Sequence, residues 1–214
     1  MLASAIVEAA EARNLAAVAI TDHGPELSVG ISPSKIEPMI TDVEIAREDA
    51  GIRVLCGIEA NVVDSSGAID INERLLDRFD LLVVGVHRLS WAIRDRAELA
   101  RAYLTSIMNA MERQRVDVVA HPFRFHGNLA DYLTPEDIDA FVELAARQSV
   151  AIEVNSRYHA PDENLLKVCL RKGVKLSVGT DAHTPAEVGS VDWPMAMLRR
   201  LGAREEDLIL KRFL

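Results

Sequence analysis

Val18-Ala19-Ile20-Thr21-Asp22-His23 runs from an apolar stretch straight into an aspartate and a histidine. Four further segments follow the same plan: Gly57-Ile58-Glu59, Leu81 to His87, Val118-Val119-Ala120-His121, and Val178-Gly179-Thr180-Asp181-Ala182-His183. Each reads as a buried strand that ends in a side chain able to hold a metal ion. In (β/α) barrels the active site is assembled from the C-terminal ends of several strands, so residues at those ends read as catalytic. The pattern therefore predicts an α/β barrel with a metal centre at one end.

The segments between support that reading. Leu2 to Asn14 has the 3.6-residue periodicity of a helix, and strand Ala17–Thr21 follows. A helix from about Pro38 to Asp49 leads into strand Arg53–Ile58. Further strands are expected at Leu81–Val86, Asp117–Ala120, Val150–Val154 and Lys175–Val178, and helices at Arg96–Gln114, Pro135–Gln148 and Glu163–Lys172. Thr134-Pro135-Glu136-Asp137 is a helix start, with a threonine cap, proline in the first turn and acids that suit the helix dipole. Strands alternating with helices imply a parallel sheet. There is no internal repeat, linker or nucleotide-binding glycine loop, so residues 1–214 read as a single domain.

Composition narrows the chemistry. Of 214 residues, 49% are hydrophobic, enough for a substantial core, and 33 acidic against 24 basic residues give a net charge of −9. That charge repels a phosphate backbone at long range and argues against binding long nucleic acid. A small anionic substrate stays open, because bound cations reverse the local field. Cys56 and Cys169 form no C-x-x-C motif and read as buried reduced thiols. Glu8, Glu11 and Arg13 interrupt any apolar run near Met1, and no stretch reaches the roughly 20 apolar residues of a membrane span. The expectation is a cytoplasmic protein with no membrane contact.

Four of the six histidines, His23, His87, His121 and His183, sit at strand ends together with Glu59 and Asp181. Imidazole nitrogen with carboxylate oxygen suits zinc, manganese or iron better than magnesium or calcium. Asp181 and His183 are two residues apart in an extended segment and can face one centre. Asp22 and His23 are adjacent and should diverge. His23 is the expected ligand, and Asp22 the partner that orients a ring or a water, or the acid that protonates a leaving oxygen. Glu59 has two oxygens and can bridge two cations, the arrangement that clamps both oxygens of a phosphoester displacement.

In this order, T-D-H-G (21–24), G-I-E-A-N (57–61), G-V-H (85–87), A-H-P (120–122), E-V-N (153–155) and G-T-D-A-H (179–183) resemble the motifs of the PHP family, named for polymerases and histidinol phosphatases. The likeness spans nearly the whole chain. It runs to short stand-alone bacterial phosphatases of that family and to the PHP domain attached to family X DNA polymerases. It implies a distorted (β/α)7 TIM-like barrel and up to three divalent metal ions. By the same resemblance Glu59 bridges two metals, His87 and His121 complete one of those sites, Asp181 serves the other, and His23 and His183 hold the third. Catalytic roles fall to Asp22, Glu59 and Asp181.

The departure is at the front, where the family carries an H-x-H strand. No histidine precedes His23, so that motif and the first barrel strand are expected to be lacking. An open barrel exposes two sheet edges, which natural proteins avoid. A shortened chain or misplaced start is therefore expected ahead of a native six-stranded barrel. A domain-swapped or homo-oligomeric arrangement that covers the gap is the third reading.

Arg124 and Arg157 follow closely behind motifs and are candidates to bind a substrate phosphate, as to a lesser degree is Arg88. Asn155 is a candidate substrate contact or a loop cap. Glu153 supports a ligand or is simply a satisfied polar group at a strand end. His126, His159, Trp91 and Trp193 read as surface or packing residues, Met195–Leu198 as a core-facing helix, and Leu208–Leu214 as a tail packed on the barrel. The leading expectation is a metal-dependent phosphoesterase that hydrolyses a small phosphomonoester by metal-activated water. The alternatives are a 3′–5′ exonuclease or nucleotide phosphodiesterase, a non-catalytic metal-binding module, and, less favoured, a sugar isomerase or deaminase.

Overall fold

The structure is a computed structural model that describes residues 1–90 and 92–214; Trp91 lies outside the described residues. Six strands, β1 (Ala17–His23), β2 (Arg53–Asn61), β3 (Leu81–Gly85), β4 (Val118–Val119), β5 (Ala151–Asn155) and β6 (Leu176–Gly179), form one sheet in sequence order. All five neighbouring pairs are parallel. The sheet is a curled, open half-barrel, as the short strand count predicts. Among the described residues nothing pairs with the outer edge of β1. Its side chains are mostly half-exposed, whereas those of β2 and β3 are buried almost throughout.

Helices α1 (Ala3–Ala12), α2 (Ile36–Glu48), α3 (Glu73–Leu76), α4 (Arg96–Arg113), α5 (Pro135–Gln148), α6 (Glu163–Arg171) and α7 (Asp192–Leu201) carry the chain between and beyond the strands. Their ends have local causes. Thr134 Oγ1 accepts from the Asp137 N–H at 3.2 Å while Asp137 Oδ2 accepts from the Thr134 N–H at 3.0 Å, a complete capping box. Gly173 closes the C-terminus of α6 with φ +74°, a left-handed residue where glycine is free of strain. The two-turn-or-shorter helix α3 was not expected from the sequence. Its apolar content is too brief for a periodic signal, and Asn72 capping the Arg74 N–H at 3.0 Å holds it. None of the helices described is long and apolar enough to cross a membrane.

Alternation along the strands separates two faces. Ile20, Val54, Cys56, Ile58, Ala60, Leu82, Val84, Val119, Ile152, Val154 and Leu176 point outward into the main core beneath the helices. The inner face is itself divided. At the N-terminal ends of the strands Leu81, Val83, Val118, Ala120 and Ala151 form a second, smaller apolar cluster. At the C-terminal ends the inward positions are polar: His23, Glu59, Asn61, Glu153 and Asn155.

The C-terminal tail covers the apolar half. It forms a 3₁₀ turn at Ile209–Arg212, and Ile209 and Phe213 pack on the inner cluster. Leu208 bridges Leu176 of β6, and Arg212 Nη1 donates to the buried Asp117 Oδ1 at 2.6 Å. Asp117 Oδ2 meanwhile accepts from the Leu82 N–H at 2.9 Å and from Arg115 Nη2 at 3.2 Å. The tail thus supplies apolar side chains where a closed barrel would use facing strands. Phe213 is half-buried, so Phe213→Ala should cost about 1–2 kcal/mol and lower Tm by roughly 3–6 °C, with no change in metal binding at the opposite end. Calorimetry that finds Tm unaltered would remove the tail from the inner core.

Candidate metal centre

Strand register builds the site. β1 and β2 pair with His23 opposite Glu59. His87, His121 and Asp181 each lie two residues past the ends of β3, β4 and β6. His87 Nε2 is 3.2 Å and His121 Nε2 3.3 Å from the same oxygen, Glu59 Oε1, and the two nitrogens are 3.3 Å apart. The second oxygen, Oε2, faces His23 Nδ1 at 3.6 Å. Ligand atoms of His23, Glu59 and His87 all fall within 4.8 Å of one another. Asp22 and His23 diverge as their adjacency requires, with His23 turned in toward Glu59 and Asp22 exposed. Gly85 leaves the room: a Cβ there would lie 2.6 Å from His87 Cε1 and 3.0 Å from Glu59 Oε1.

The donor set fits a metal ion. Two imidazole nitrogens and a carboxylate oxygen at a common spacing near 3.3 Å match the edge of a tetrahedron whose centre is about 2.0–2.1 Å from each ligand, the zinc–nitrogen distance. Glu59 Oε1 and His23 Nδ1 are buried with no hydrogen-bond partner of good geometry, which buried polar atoms rarely tolerate. A cation held by His87, His121 and Glu59 Oε1 would satisfy that oxygen, and a cation on the Oε2 side would satisfy His23 Nδ1.

Their protonation follows the same logic. Burial opposes ionisation of Glu59, but the imidazoles of His121 and His87 outweigh it and hold the carboxyl well below the usual carboxylate range. Burial also disfavours a charged His121, yet Glu59 pushes it up to about 9. His23 goes the other way, lowered chiefly by burial. Glu153 is raised to about 6, mainly by burial, with His121 acting against the rise.

The remaining expected residues are spread around this cluster. Asp181 has φ +51°, and its backbone oxygen and Oδ1 lie 2.9 and 3.5 Å from Nδ1 of the exposed His183. His23 and His183 rings are 6.4 Å apart. Arg157 Nη1 is tied to the Asp181 carbonyl at 3.3 Å and to Glu187 at 3.4 Å, so its guanidinium braces the Asp181–His183 loop. Asn155 is fully buried, donates to Glu153 and accepts from the Tyr158 N–H at 3.0 Å, the geometry of a loop cap. Arg124 is exposed and lies over the Tyr158 ring at 5.6 Å. It lines a cavity of about 330 Å³ with His87, His121, Phe125, His126 and Tyr158. Arg88 is exposed, and His159 stacks on Trp193 at 4.8 Å.

A family profile for the PHP domain matches residues 2–157. The chain belongs to the PHP domain family. A probable phosphatase from Tolumonas auensis is 32% identical over 202 residues, covering 88% of this chain and 74% of that protein. Two solved structures share the fold at lower identity. A candidate histidinol phosphatase from Listeria monocytogenes gives a TM-score of 0.71 at 12% identity, over 87% of this chain and 90% of that one. The histidinol phosphate phosphatase from Lactococcus lactis, solved with zinc, L-histidinol and phosphate, gives 0.62 at 15%, over 94% and 87%.

Two residues of this PHP chain outside the strand-end motifs, Tyr158 and Glu187, also shape the site. Tyr158 sets its ring edge-on to His121 at 5.4 Å, and Glu187 accepts from the His183 and Thr184 N–H groups at 2.7 and 2.9 Å. Tyr158 lies in a turn outside any periodic pattern, whereas Glu187 closes the Thr184-Pro185-Ala186-Glu187 capping box of a 3₁₀ turn, a signal carried within four residues. Because His121 holds a proton up to about pH 9 in the metal-free protein, a cation must displace it. Zinc affinity should therefore rise steadily from pH 6.5 toward 9 and flatten above, as read by competition with a chromophoric chelator. A flat profile over that range would show that Glu59 does not hold His121 protonated there.

Proposed function

We propose that this protein is a metal-dependent phosphatase that hydrolyses a small phosphomonoester. The observation that carries the reading is the convergence of His87, His121 and Glu59 at 3.2–3.3 Å on one point at the C-terminal end of the half-barrel. Membership of the PHP family and the phosphatase names of its relatives support it. Zinc in the Lactococcus lactis structure supports a divalent cation as the cofactor.

His87, His121 and Glu59 Oε1 would hold one ion, with His23 on the other oxygen of Glu59, and Asp181 and His183 available to further ions. Ions held there would supply a water of pKa near about 7 and neutralise phosphate charge. The chain's own residues do the rest. Arg124 faces the cavity beside the cluster with no ion-pair partner among the described residues. Its fork of donors can take a phosphate oxygen pair while the Tyr158 ring supports its back. A cavity of about 330 Å³ beside the cluster has room for a small phosphomonoester. Asp22 is exposed, turned away from Glu59 and absent from the cavity lining, so its expected role as the acid for the leaving oxygen finds no support in the geometry. Cysteine chemistry is disfavoured, since burial pushes Cys56 up to about 11 and Cys169 to about 12.

The test is hydrolysis of a small aryl phosphate by the zinc- or manganese-loaded protein. Glu59→Gln should lower kcat at least about a hundredfold. Arg124→Ala should raise KM about ten- to a hundredfold, the loss of a charged hydrogen bond to phosphate. Activity in Glu59→Gln equal to that of the parent would sink the proposal.

A further inference from the structure

We propose that Glu153 is a positioning residue for His121, holding its backbone so that the imidazole meets Glu59, and that Gly179 is glycine to make room for that carboxylate. The inference rests on the metal-centre reading above and concerns how one of its ligands is aimed.

Histidines that bind metals are normally oriented through the second ring nitrogen, which donates to a carboxylate or carbonyl. His121 departs from this: its Nδ1 is buried with no hydrogen-bond partner. Its orientation must come from elsewhere. The backbone of His121 sits at φ +25°, a region that a residue with a Cβ enters only under constraint. The constraint is visible. Glu153 Oε2 accepts from the His121 N–H at 2.6 Å, a short charge-assisted bond between β5 and the residues after β4.

The carboxylate is itself fixed. Asn155 Nδ2 donates to the same oxygen at 3.1 Å, and Asn155 Oδ1 accepts from the Tyr158 N–H. Tyr158 in turn lays its ring against the His121 imidazole. The other oxygen, Oε1, fills the space above Gly179 on β6, where a Cβ would stand 1.8 Å from it. Gly179 has no left-handed backbone to explain its identity; the reason is room. Glu153 therefore links three strands and reaches the metal centre through the backbone of His121.

The experiment measures zinc affinity by chelator competition and Tm of the metal-free protein for the parent, Glu153→Ala, Glu153→Gln and Gly179→Ala. Glu153→Ala should weaken zinc binding about ten- to a hundredfold. Glu153→Gln, whose amide oxygen still accepts from the His121 N–H, should stay within about threefold of the parent. Gly179→Ala should weaken zinc binding as Glu153→Ala does, by displacing the carboxylate, and it decides the matter if Glu153→Ala does not fold. Unchanged affinity in Glu153→Ala or in Gly179→Ala overturns the proposal, as does a fall in metal-free Tm with affinity retained. Glu153→Gln falling as far as Glu153→Ala also overturns it, since charge and not position would then be the cause. A parent protein that binds no zinc would instead refute the metal centre itself.

Discussion

A buried carboxylate among three imidazoles is the constraint around which this fold is organised. An isolated Glu59 anion in such a place would carry a heavy desolvation penalty, so it must be matched by positive charge. In the metal-free chain the proton on His121 provides part of that charge. A divalent cation provides it more completely and relieves the close approach of His87 and His121 Nε2 at 3.3 Å. Protonation and metal loading are thus competing solutions to one electrostatic problem.

The sheet serves that problem by dividing its inner face along the strand axis. Apolar side chains at the N-terminal ends close under Ile209 and Phe213 and make a dry floor. Above it, Gly85 and Gly179 leave space that larger side chains would fill. The polar groups enter that space from several strands at one level, because parallel pairing keeps the strand ends aligned. One charged pair reaches the floor, Arg212 with Asp117, and it anchors the tail that covers the apolar residues.

Loops then refine what strands begin. His121 and Asp181 both lie just past strand ends in left-handed conformations. Backbone strain of that kind persists only where neighbours over-determine it. Glu153 does so at His121. At the other loop Glu187 accepts from the N–H groups of His183 and Thr184, and Arg157 reaches the Asp181 carbonyl. Carboxylates that accept backbone N–H groups stand behind both segments.

The alternation of strands and helices, the capping box at Thr134 and the apolar runs ending in His, Asp or Glu were legible in the residues, because each depends on local periodicity or on a neighbour within four positions. The residue types also identified the donor chemistry, and the adjacency of Asp22 and His23 required them to diverge. What local sequence could not carry was anything that depends on which strands lie side by side at which register. The meeting of Glu59 Oε1 with two histidines, the burial of Asn155, and the turning of Arg157 toward Glu187 all arise from contacts between segments far apart in the chain. So does the contact of Glu153 with the backbone of His121 across β4 and β5. The tail shows the same division: its apolar residues predict that it packs, but only the open side of the half-barrel determines where. Composition and period thus determined the elements and their chemical vocabulary, while parallel pairing and the close approach of loops decided which atoms share a centre.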